Sequence, residues 1–458
     1  MLKNTTFVLR TRKLDNINMG NKKLYIETYG CQMNVSDSEV IFSILGKCGY
    51  ERTENIEEAD IIFANTCSIR DNAEQRVWGR IDYFHTFKKQ HPEILVGIVG
   101  CMAERLGKQL LEGDKVDIVA GPDAYKTLPA LVADAAEGIP QINVKLSKEE
   151  TYAEIDPVRT DKNGVSAFVS IMRGCNNLCS YCIVPYTRGV ERSRDPHTIV
   201  REACDVFHKG YKEVTLLGQN VDSYCWKRGD ETADFADLLR MVAEIDPELR
   251  VRYATSHPKD ISDKVIETMA QYDNICRHIH LPVQSGSNAM LEKMRRRYTR
   301  EWYLDRVHKI KSVMPDCNIT TDIIAGFCSE TEEDHQETLS LMREVGYDYA
   351  FMFQYSERPG TLAARHYPDD VPPEVKTRRL NEIIELQNQL SRESNERDLG
   401  KIFKVLVEGP SKKNPDELCG RASNNKMCVF PDTEHKAGDY VNVKVLECTS
   451  ATLICERV

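Results

Sequence analysis

The chain has 458 residues, of which 41% are hydrophobic and 29% are charged, and at roughly 150 residues per domain this length predicts two to four domains. No apolar run approaches the ~18 residues that a membrane-spanning helix needs, so no membrane span is predicted. The net charge of −10 argues against a broadly basic nucleic-acid-binding surface and directs the search to local clusters of Lys and Arg.

The first predicted domain covers residues 22–145. Residues 1–21 carry basic side chains but no apolar segment with a cleavage site, so they are predicted to be a disordered lead-in. Short apolar runs then alternate with helical stretches, which is typical of a parallel, Rossmann-like α/β domain. Ser36 and Glu39, three residues apart, predict a capping box at the start of the first helix. Periodicity is lost over 121–160, and 145–160 is taken as the boundary. The predicted strands are 23–28, 60–65, 94–99 and 116–120.

The second predicted domain covers residues 161–396 and alternates strands with helix-length segments. Six such strands favour a partial (β/α)6 barrel over a sandwich. A long polar helix runs from Pro372 to near Gly400. The predicted strands are 166–172, 213–217, 250–254, 277–281, 317–325 and 347–354.

The third predicted domain covers residues 399–458 and has a different pattern. Alternating runs at 403–407 and 440–445 are separated by predicted turns, so a small all-β barrel is expected. The overall class is therefore α/β with an all-β tail. The predicted turns lie at Gly409-Pro410, Asn414-Pro415 and Gly438-Asp439.

Three closely spaced cysteines form the strongest motif. Cys175, Cys179 and Cys182 follow a predicted strand at intervals of four and three residues, so one loop can bring three thiols together. Iron-sulfur clusters prefer thiolates, and three of them leave the fourth iron open to a substrate or cofactor. A structural zinc site is the alternative, but it usually takes four ligands in paired spacing, which this loop lacks. The loop therefore predicts a cluster with an open iron.

A second set of cysteines is scattered along the first domain. Cys31, Cys67 and Cys101 each follow one of its first three predicted strands. Ligands of an open parallel sheet bind beyond the carboxyl ends of its strands, so thiols placed there would converge. Gly30 and Gly100 would allow tight turns beside two of them. From the residues alone, a second cluster and a chance alignment of buried thiols both remain open.

The cysteine loop resembles that of the radical-SAM superfamily. The superfamily motif is Cys-x3-Cys-x2-Cys with an aromatic residue before the last cysteine, here Tyr181, and the resemblance extends over residues 161–396. It implies a 4Fe-4S cluster whose open iron binds S-adenosyl-L-methionine. The cluster would cleave this cofactor to a radical that abstracts hydrogen from an unactivated carbon.

The rest of the chain resembles one family of that superfamily, the methylthiotransferases. Residues 399–458 are similar to the TRAM domain, a small β-barrel associated with RNA binding. The matching segments elsewhere are Thr28-Tyr-Gly-Cys-Gln-Met-Asn34, Asn65-Thr-Cys-Ser-Ile-Arg70, Gly100-Cys-Met-Ala103, Leu217-Gly-Gln-Asn-Val221, Ser256-His-Pro258, Leu281-Pro-Val-Gln-Ser-Gly-Ser287, Asp322-Ile-Ile-Ala-Gly-Phe327 and Tyr355-Ser-Glu-Arg-Pro-Gly-Thr361.

The resemblance is to the MiaB branch of the family in particular, through residues 32–34, 68–70 and 358–360. That branch converts N6-isopentenyladenosine at tRNA position 37 to its 2-methylthio derivative. The resemblance implies two 4Fe-4S clusters and two S-adenosyl-L-methionine molecules. It implies that one molecule methylates a sulfur on the cluster of Cys31, Cys67 and Cys101, and that the other gives the radical that abstracts hydrogen from C2 of adenine. The family usually has Pro-Gly where this chain has Cys328-Ser329, so this loop is expected to differ in shape.

The resemblance also implies cofactor contacts and partners. The expected partners are the tRNA anticodon stem-loop, an electron donor such as flavodoxin or ferredoxin, and an iron-sulfur or sulfur delivery system. Because the sixteen cysteines occur in a long chain without an export signal, reduced thiols and a cytoplasmic location are expected. The candidate contacts for S-adenosyl-L-methionine, besides Tyr181, are Gly218, Gln219, Ser256, Gln284 and Asp322.

A basic cluster and the remaining thiols complete the candidates. The C-terminal barrel and a run of cations are predicted to contact RNA phosphates, although such a run is also typical of a solvated helix face. His257 is either a proton donor or a structural histidine. The other ten cysteines show no convergent spacing and are predicted to be buried thiols. The RNA candidates are Arg295, Arg296, Arg297 and Arg300.

Rival functions share these motifs. Within the family, the alternatives are methylthiolation of threonylcarbamoyl-adenosine in tRNA or of a ribosomal-protein aspartate. From another class, the alternative is a non-catalytic iron-sulfur or RNA-binding protein. Failure to cleave S-adenosyl-L-methionine after reduction would favour this last reading.

Overall fold

The computed structural model describes residues 22–68, 71–161 and 163–458, with the side chains of 71–74 excluded. The predicted disordered lead-in, residues 1–21, lies outside the described residues. So do residues 69 and 70 of one motif that resembles the methylthiotransferases.

The first unit is a parallel sheet with helices on both faces. The strand order is β2-β1-β3-β4-β5-β6, and Leu24 pairs with Ile61, which pairs with Leu95. Its elements are β1 (Lys22–Thr28), α1 (Gln32–Gly46), β2 (Tyr50–Arg52), β3 (Ile61–Thr66), α2 (Asp71–Gln90), β4 (Leu95–Gly100), α3 (Cys101–Leu106), β5 (Ile118–Ala120), α4 (Leu128–Ala136) and β6 (Gln141–Asn143).

The predicted start of the first helix is wrong. Helix α1 begins at Gln32, and the capping box is formed by Cys31 and Asn34 rather than by Ser36 and Glu39. Because the helix is capped at Cys31, residues 36–39 lie inside it, and the side chains of Asp37, Ser38 and Glu39 bond to distant parts of the chain. Helix α4 and strand β6 also extend this unit into the region where periodicity was thought to be lost.

The second unit is an open (β/α)6 barrel, as predicted. Strands β7, β10 and β13 pair in parallel, and so do β14, β15 and β16. A bridge between Val251 and Ile275 joins the two sheets. The elements are β7 (Ser166–Ser170), β8 (Met172–Arg173), α5 (Val184–Arg188), β9 (Arg192–Ser193), α6 (Pro196–His208), β10 (Glu213–Leu217), β11 (Cys225–Arg228), β12 (Glu231–Asp234), α7 (Phe235–Ala243), β13 (Arg250–Ala254), α8 (Asp263–Gln271), β14 (His278–His280), α9 (Asn288–Lys293), α10 (Arg300–Val313), β15 (Asn318–Ala325), α11 (Glu332–Val345), β16 (Tyr349–Gln354), α12 (Leu362–His366) and α13 (Pro373–Glu396).

The third unit is a closed barrel, also as predicted, with strand order β17-β18-β19-β21-β20. The predicted turn at Gly409-Pro410 is wrong, because both residues belong to β17, which has a bulge between Val407 and Gly409. A bulge absorbs the extra residue without ending the strand. The strands are β17 (Ile402–Pro410), β18 (Glu417–Arg421), β19 (Met427–Pro431), β20 (Tyr440–Cys448) and β21 (Leu453–Arg457).

The third unit packs on the amino ends of the second unit's strands. Arg250 donates to the Arg421 carbonyl at 2.6 Å, and Arg252 donates to the Ala422 carbonyl at 2.9 Å. The carboxyl ends, where the cysteine loop lies, therefore face away from this contact. Among the helices of the described residues, none combines the length and apolar character that a membrane span requires.

Candidate functional site

The three scattered cysteines lie at one edge of the first sheet. Cys31 caps helix α1, Cys67 follows β3, and Cys101 opens α3 directly after β4. A hydrogen bond from Cys67, together with the nearby Arg188, lowers the pKa of the Cys31 thiol to about 6. The structure therefore brings these thiols together, and a soft metal cluster fits such a donor set.

Glycines allow the close approach of the loops that carry these thiols. Gly30 has φ +120, and a Cβ there would lie 2.3 Å from Cys67 Cβ. Gly100 has φ +91, and a Cβ there would lie 2.6 Å from Asn65 Oδ1. A side chain at either position would separate the loops.

A buried amide network fixes the same edge. Asn34 Nδ2 donates to Asn65 Oδ1 and to the Thr66 carbonyl, each at 3.1 Å. In return, Asn65 Nδ2 donates to the Asn34 carbonyl at 2.8 Å and to Ser38 Oγ at 2.9 Å. Because both asparagines are fully buried and mutually bonded, the positions of Cys31 and Cys67 are fixed relative to each other.

The closely spaced cysteines converge in the loop after β8. Cys175 and Cys179 are buried, and the Cys182 amide donates to the Cys179 carbonyl at 3.0 Å. Burial raises the pKa of Cys175 to about 11 and that of Cys182 to about 12. Gly174 has φ +77, and a Cβ there would lie 2.0 Å from the Val190 carbonyl oxygen. Metal binding at this loop would therefore release protons from thiols that are otherwise neutral.

Arg296 is placed differently from its prediction as a phosphate contact. Its side chain is buried, and Nη1 donates to Cys179 Sγ at 3.3 Å and to Tyr181 Oη at 3.2 Å. Its other terminal nitrogen donates to the Pro282 carbonyl at 2.6 Å. A guanidinium held in this way supports the cysteine loop and is not presented to RNA.

The other predicted RNA contacts divide into two kinds. Arg295 and Arg297 are exposed, in the loop between α9 and α10. Arg300 is paired with Glu344 at 2.9 Å and donates to the Glu337 carbonyl at 2.7 Å. The structure thus leaves two of the four predicted cations available on this surface.

His257 lies beside the cysteine loop. Its Nδ1 accepts from the Lys259 amide at 3.3 Å, and its Nε2 lies 3.9 Å from Cys179 Sγ. Burial and the charge of Arg296 lower the pKa of His257, so the ring is neutral. The hydrogen bond to the backbone gives His257 a structural role, which is one of the two roles predicted for it.

The predicted cofactor contacts lie at the carboxyl ends of the barrel strands. Gly218 and Gln219 follow β10, and Ser256 follows β13. Gln219 Oε1 and Ser256 Oγ are buried, and neither meets a partner at hydrogen-bonding distance and angle among the described residues, although the Ser256 hydroxyl lies near the Asp222 carboxyl group. Buried polar atoms of this kind are normally satisfied, so they fit a polar ligand such as S-adenosyl-L-methionine.

Gln284 lies four residues after β14, and Asp322 lies within β15. Gln284 has φ +72, a strained conformation for a residue with a side chain, and its amide donates to the Asp322 carbonyl at 2.9 Å. The Asp322 carboxylate lies 3.4 Å from His280 Nε2. Gln284 therefore lies beyond the carboxyl end of its strand, as Gln219 does, and its backbone hydrogen bond connects it to Asp322.

A buried ion cluster connects the two cysteine sites, and no sequence pattern predicted it. Asp37, in helix α1, bonds to Arg173 at 2.8 Å and to Arg188 at 2.9 Å. Arg173 precedes the cysteine loop by two residues, and Arg188 ends helix α5 just after it. One carboxylate of the first domain thus binds both arginines that flank the loop of the second. The role of Asp37 is not apparent from the sequence, because the spacing of Ser36 and Glu39 on either side of it predicts a helix cap.

The loop at Cys328-Ser329, where the methylthiotransferases usually have Pro-Gly, keeps a backbone conformation typical of glycine. Ser329 has φ +61, which suits the glycine that the family usually has there. Asp370 holds this turn, accepting from the Ser329 amide at 2.6 Å and from its hydroxyl at 2.9 Å.

The remaining cysteines are not uniformly buried, in contrast to the prediction. Cys225 is exposed on the β11–β12 hairpin, most of whose residues are exposed, and several other cysteines are partly exposed. The buried ones are Cys276, Cys317, Cys328, Cys428 and Cys455, and the partly exposed ones are Cys48, Cys204, Cys419 and Cys448.

Comparison with known proteins gives matches along the whole described chain. Residues 23–121 match the family described as Uncharacterized protein family UPF0004, residues 169–342 match the Radical SAM superfamily, and residues 396–456 match the TRAM domain. Proteins named tRNA-2-methylthio-N(6)-dimethylallyladenosine synthase are 59% identical in Bacteroides fragilis, 60% in Phocaeicola vulgatus and 54% in Porphyromonas gingivalis. Each alignment covers 96% of both chains.

Solved structures share the fold at low identity. The radical S-adenosylmethionine methyltransferase TsrM from Kitasatospora setae has a TM-score of 0.57 at 15% identity and covers 75% of both chains. The cobalamin-dependent radical enzyme OxsB has a TM-score of 0.53 at 12% identity, covering 80% of this chain and 56% of that one. With identity above half over nearly its full length to the named synthases, the chain belongs to the methylthiotransferase family of radical-SAM enzymes.

Proposed function

We propose that the chain converts N6-isopentenyladenosine at tRNA position 37 to its 2-methylthio derivative. The observation that carries this proposal is the ion cluster in which Asp37, beside one cysteine triad, binds Arg173 and Arg188, beside the other. Because one buried ion cluster holds the two cysteine sites together, the arrangement suits a reaction in which both sites act on the same substrate atom. The names of the relatives at 54–60% identity support the same substrate.

The residues present fit two 4Fe-4S clusters. Cys175, Cys179 and Cys182 would hold the cluster that binds S-adenosyl-L-methionine, and Cys31, Cys67 and Cys101 would hold the second. When bound, these groups supply the methylated sulfur and the radical that removes hydrogen from C2 of adenine. The protein holds the thiols in place, and the burial of Cys175 and Cys179 keeps water from the site where the radical would form. Cys31, in the other triad, is exposed.

Side chains at the carboxyl ends of the strands would orient the cofactor. Gln219 and Ser256 offer buried oxygens for its polar groups, and Gly218 lets the end of β10 approach Met172, since a Cβ there would lie 2.4 Å from Met172 Cγ. Gln284 and Asp322 would complete the contacts, with Tyr181 beside the cysteine loop. The modified base must leave its stack, which costs little in an anticodon loop.

The wider assignments belong to the same proposal. The domains are 22–145, 161–396 and 399–458, and the protein works in the cytoplasm. An electron donor such as flavodoxin or ferredoxin reduces the clusters, and a delivery system supplies iron and sulfur. Arg295, Arg297 and the C-terminal barrel contact the tRNA backbone. The rival substrates, threonylcarbamoyl-adenosine and a ribosomal-protein aspartate, are less favoured because the relatives are named for the isopentenylated nucleoside.

The test is mass spectrometry of nucleosides from isopentenylated tRNA. The tRNA is incubated with anaerobically reconstituted protein, S-adenosyl-L-methionine and dithionite. We expect the 2-methylthio nucleoside from the parent chain and none from Cys31→Ala or Cys175→Ala. Formation of 5'-deoxyadenosine without tRNA modification would keep the radical chemistry and overturn the substrate. Absence of both products would favour a non-catalytic iron-sulfur or RNA-binding protein.

A further inference from the structure

Arg188 belongs to the radical-SAM domain but reaches the other domain's thiols. It ends helix α5, six residues after Cys182 in the sequence, and its side chain is buried. Helix α5 packs against α3, whose first residue is Cys101. This contact places the guanidinium at the edge of the first sheet where the scattered cysteines meet.

The hydrogen bonds of Arg188 to oxygen atoms leave one of its buried donors unused. Its Nη2 donates to Asp37 at 2.9 Å, while Nη1 is buried and has no hydrogen-bond partner among the described residues. A buried donor without an acceptor is unfavourable, and an acceptor on a bound ligand would satisfy it.

The Arg188 guanidinium lies near two thiols of the triad. Helix α5 packs against α3, which begins at Cys101, and the guanidinium is within interaction distance of the Cys101 and Cys31 thiols. The guanidinium is therefore next to two of the three proposed ligands of the second cluster.

We propose that Arg188 donates a hydrogen bond from Nη1 to the cluster held by Cys31, Cys67 and Cys101 and so favours its reduced form. The inference rests on the function proposed for that triad. Reduction adds a negative charge to a buried cluster, and a cation with a directed N–H stabilises the more negative state. Hydrogen bonds to sulfur and net charge are among the factors that set cluster potentials. A residue of one domain would thus control the potential of the other domain's cluster.

The experiment is a redox titration of the second cluster alone. Cys175, Cys179 and Cys182 are replaced by Ala in the full chain, the protein is reconstituted with iron and sulfide, and the reduced cluster is followed by electron paramagnetic resonance. The variants are Arg188→Gln, Arg188→Lys and, as the matched control, Arg173→Lys. Arg173 binds the same Asp37, and the control keeps its charge.

We expect Arg188→Gln to lower the ratio of reduced to oxidised cluster about tenfold at a fixed potential, equivalent to ~59 mV for one electron. Arg188→Lys should shift the midpoint in the same direction by less, and Arg173→Lys should leave it unchanged. If Arg188→Gln does not fold, the shift in Arg188→Lys decides. A normal iron content with an unchanged midpoint overturns the inference alone. If the variant that lacks Cys175, Cys179 and Cys182 binds no cluster, the proposed role of Cys31, Cys67 and Cys101 is wrong, and the inference fails with it.

Discussion

The Asp37 carboxylate accepts a hydrogen bond from the Arg173 guanidinium at 2.8 Å in the interior of the protein. Its second oxygen accepts from Arg188 at 2.9 Å and from the Tyr125 hydroxyl at 3.2 Å. Asp37 is about 1% exposed, so this pairing takes place almost without water. Breaking one member leaves a buried charge without compensation, which is far more costly than losing a surface ion pair.

Asp37→Asn is therefore expected to destabilise the chain strongly. Removing one partner of a buried pair costs ~3–5 kcal/mol, because both arginines stay charged and buried. Urea unfolding followed by circular dichroism measures the change. Glu51→Gln is the control, since Glu51 is half exposed in its ion pair with Lys23 and such pairs are worth ~0–1 kcal/mol. An equal loss of unfolding free energy in Asp37→Asn and Glu51→Gln would show that the buried ion cluster contributes no more than a surface ion pair.

Gly100→Ala is expected to disrupt the edge that carries the scattered cysteines. A Cβ there would lie 2.6 Å from both Asn65 Oδ1 and the Thr66 carbonyl oxygen, so β3 and β4 must separate. Gly113→Ala is a matched control, because Gly113 also has positive φ, +82, but nothing within 4 Å of a Cβ. We expect reconstituted Gly100→Ala to lose about half or more of its iron, and Gly113→Ala to keep it. A full complement of iron in Gly100→Ala would show that this edge tolerates the added atom.

The strands and both cysteine sites could be predicted because the signals for them lie in short stretches of sequence. Alternation of apolar runs identifies strands, and a residue just after a parallel strand lies at a known edge, so Cys31, Cys67 and Cys101 could be grouped. The partners of Asp37 could not be found this way, because Arg173 is 136 residues away and no spacing links them. Arg296 was misinterpreted for a similar reason: a cation in a basic run is usually solvated, and only tertiary packing turns it towards Cys179.

Gln219→Ala is expected to weaken binding of S-adenosyl-L-methionine. Gln219 Oε1 is buried without a partner among the described residues, so its loss removes a proposed ligand contact and breaks no bond to Oε1 within the protein. Loss of one such hydrogen bond, at ~1 kcal/mol, raises the Kd about fivefold. Calorimetric titration of the reconstituted protein measures the affinity, with the exposed Gln271→Ala as control. An unchanged Kd in Gln219→Ala would remove this residue from the cofactor site.

Asp222 should make the stability depend on pH. Burial raises its pKa from 3.8 to about 7, with the Ser256 hydroxyl opposing the shift. A raised folded-state pKa gives stability that is fully present below pH 3.8 and is lost as the pH rises towards 7. Each pKa unit is worth ~1.4 kcal/mol, so Asp222→Asn should gain stability relative to the parent over this range by a few kcal/mol. Unfolding at a series of pH values tests this, and the fully exposed Asp273→Asn should run parallel to the parent. A constant difference between Asp222→Asn and the parent would contradict the shift.

Charge reversal at Arg295 and Arg297 is expected to weaken tRNA binding and reduce its dependence on salt. Both side chains are exposed between α9 and α10, where they can neutralise phosphates. Each phosphate contact adds ~0.7–0.9 to the slope of log K against log salt concentration, so Arg295→Glu with Arg297→Glu should lower the slope by about 1.5. Filter binding of an anticodon stem-loop at several salt concentrations measures it. Arg300→Ala is the control, because Arg300 is already committed to Glu344 and the Glu337 carbonyl and should leave the slope unchanged. If the double variant retains the parent slope, the tRNA backbone binds elsewhere, and the C-terminal barrel becomes the surface to test.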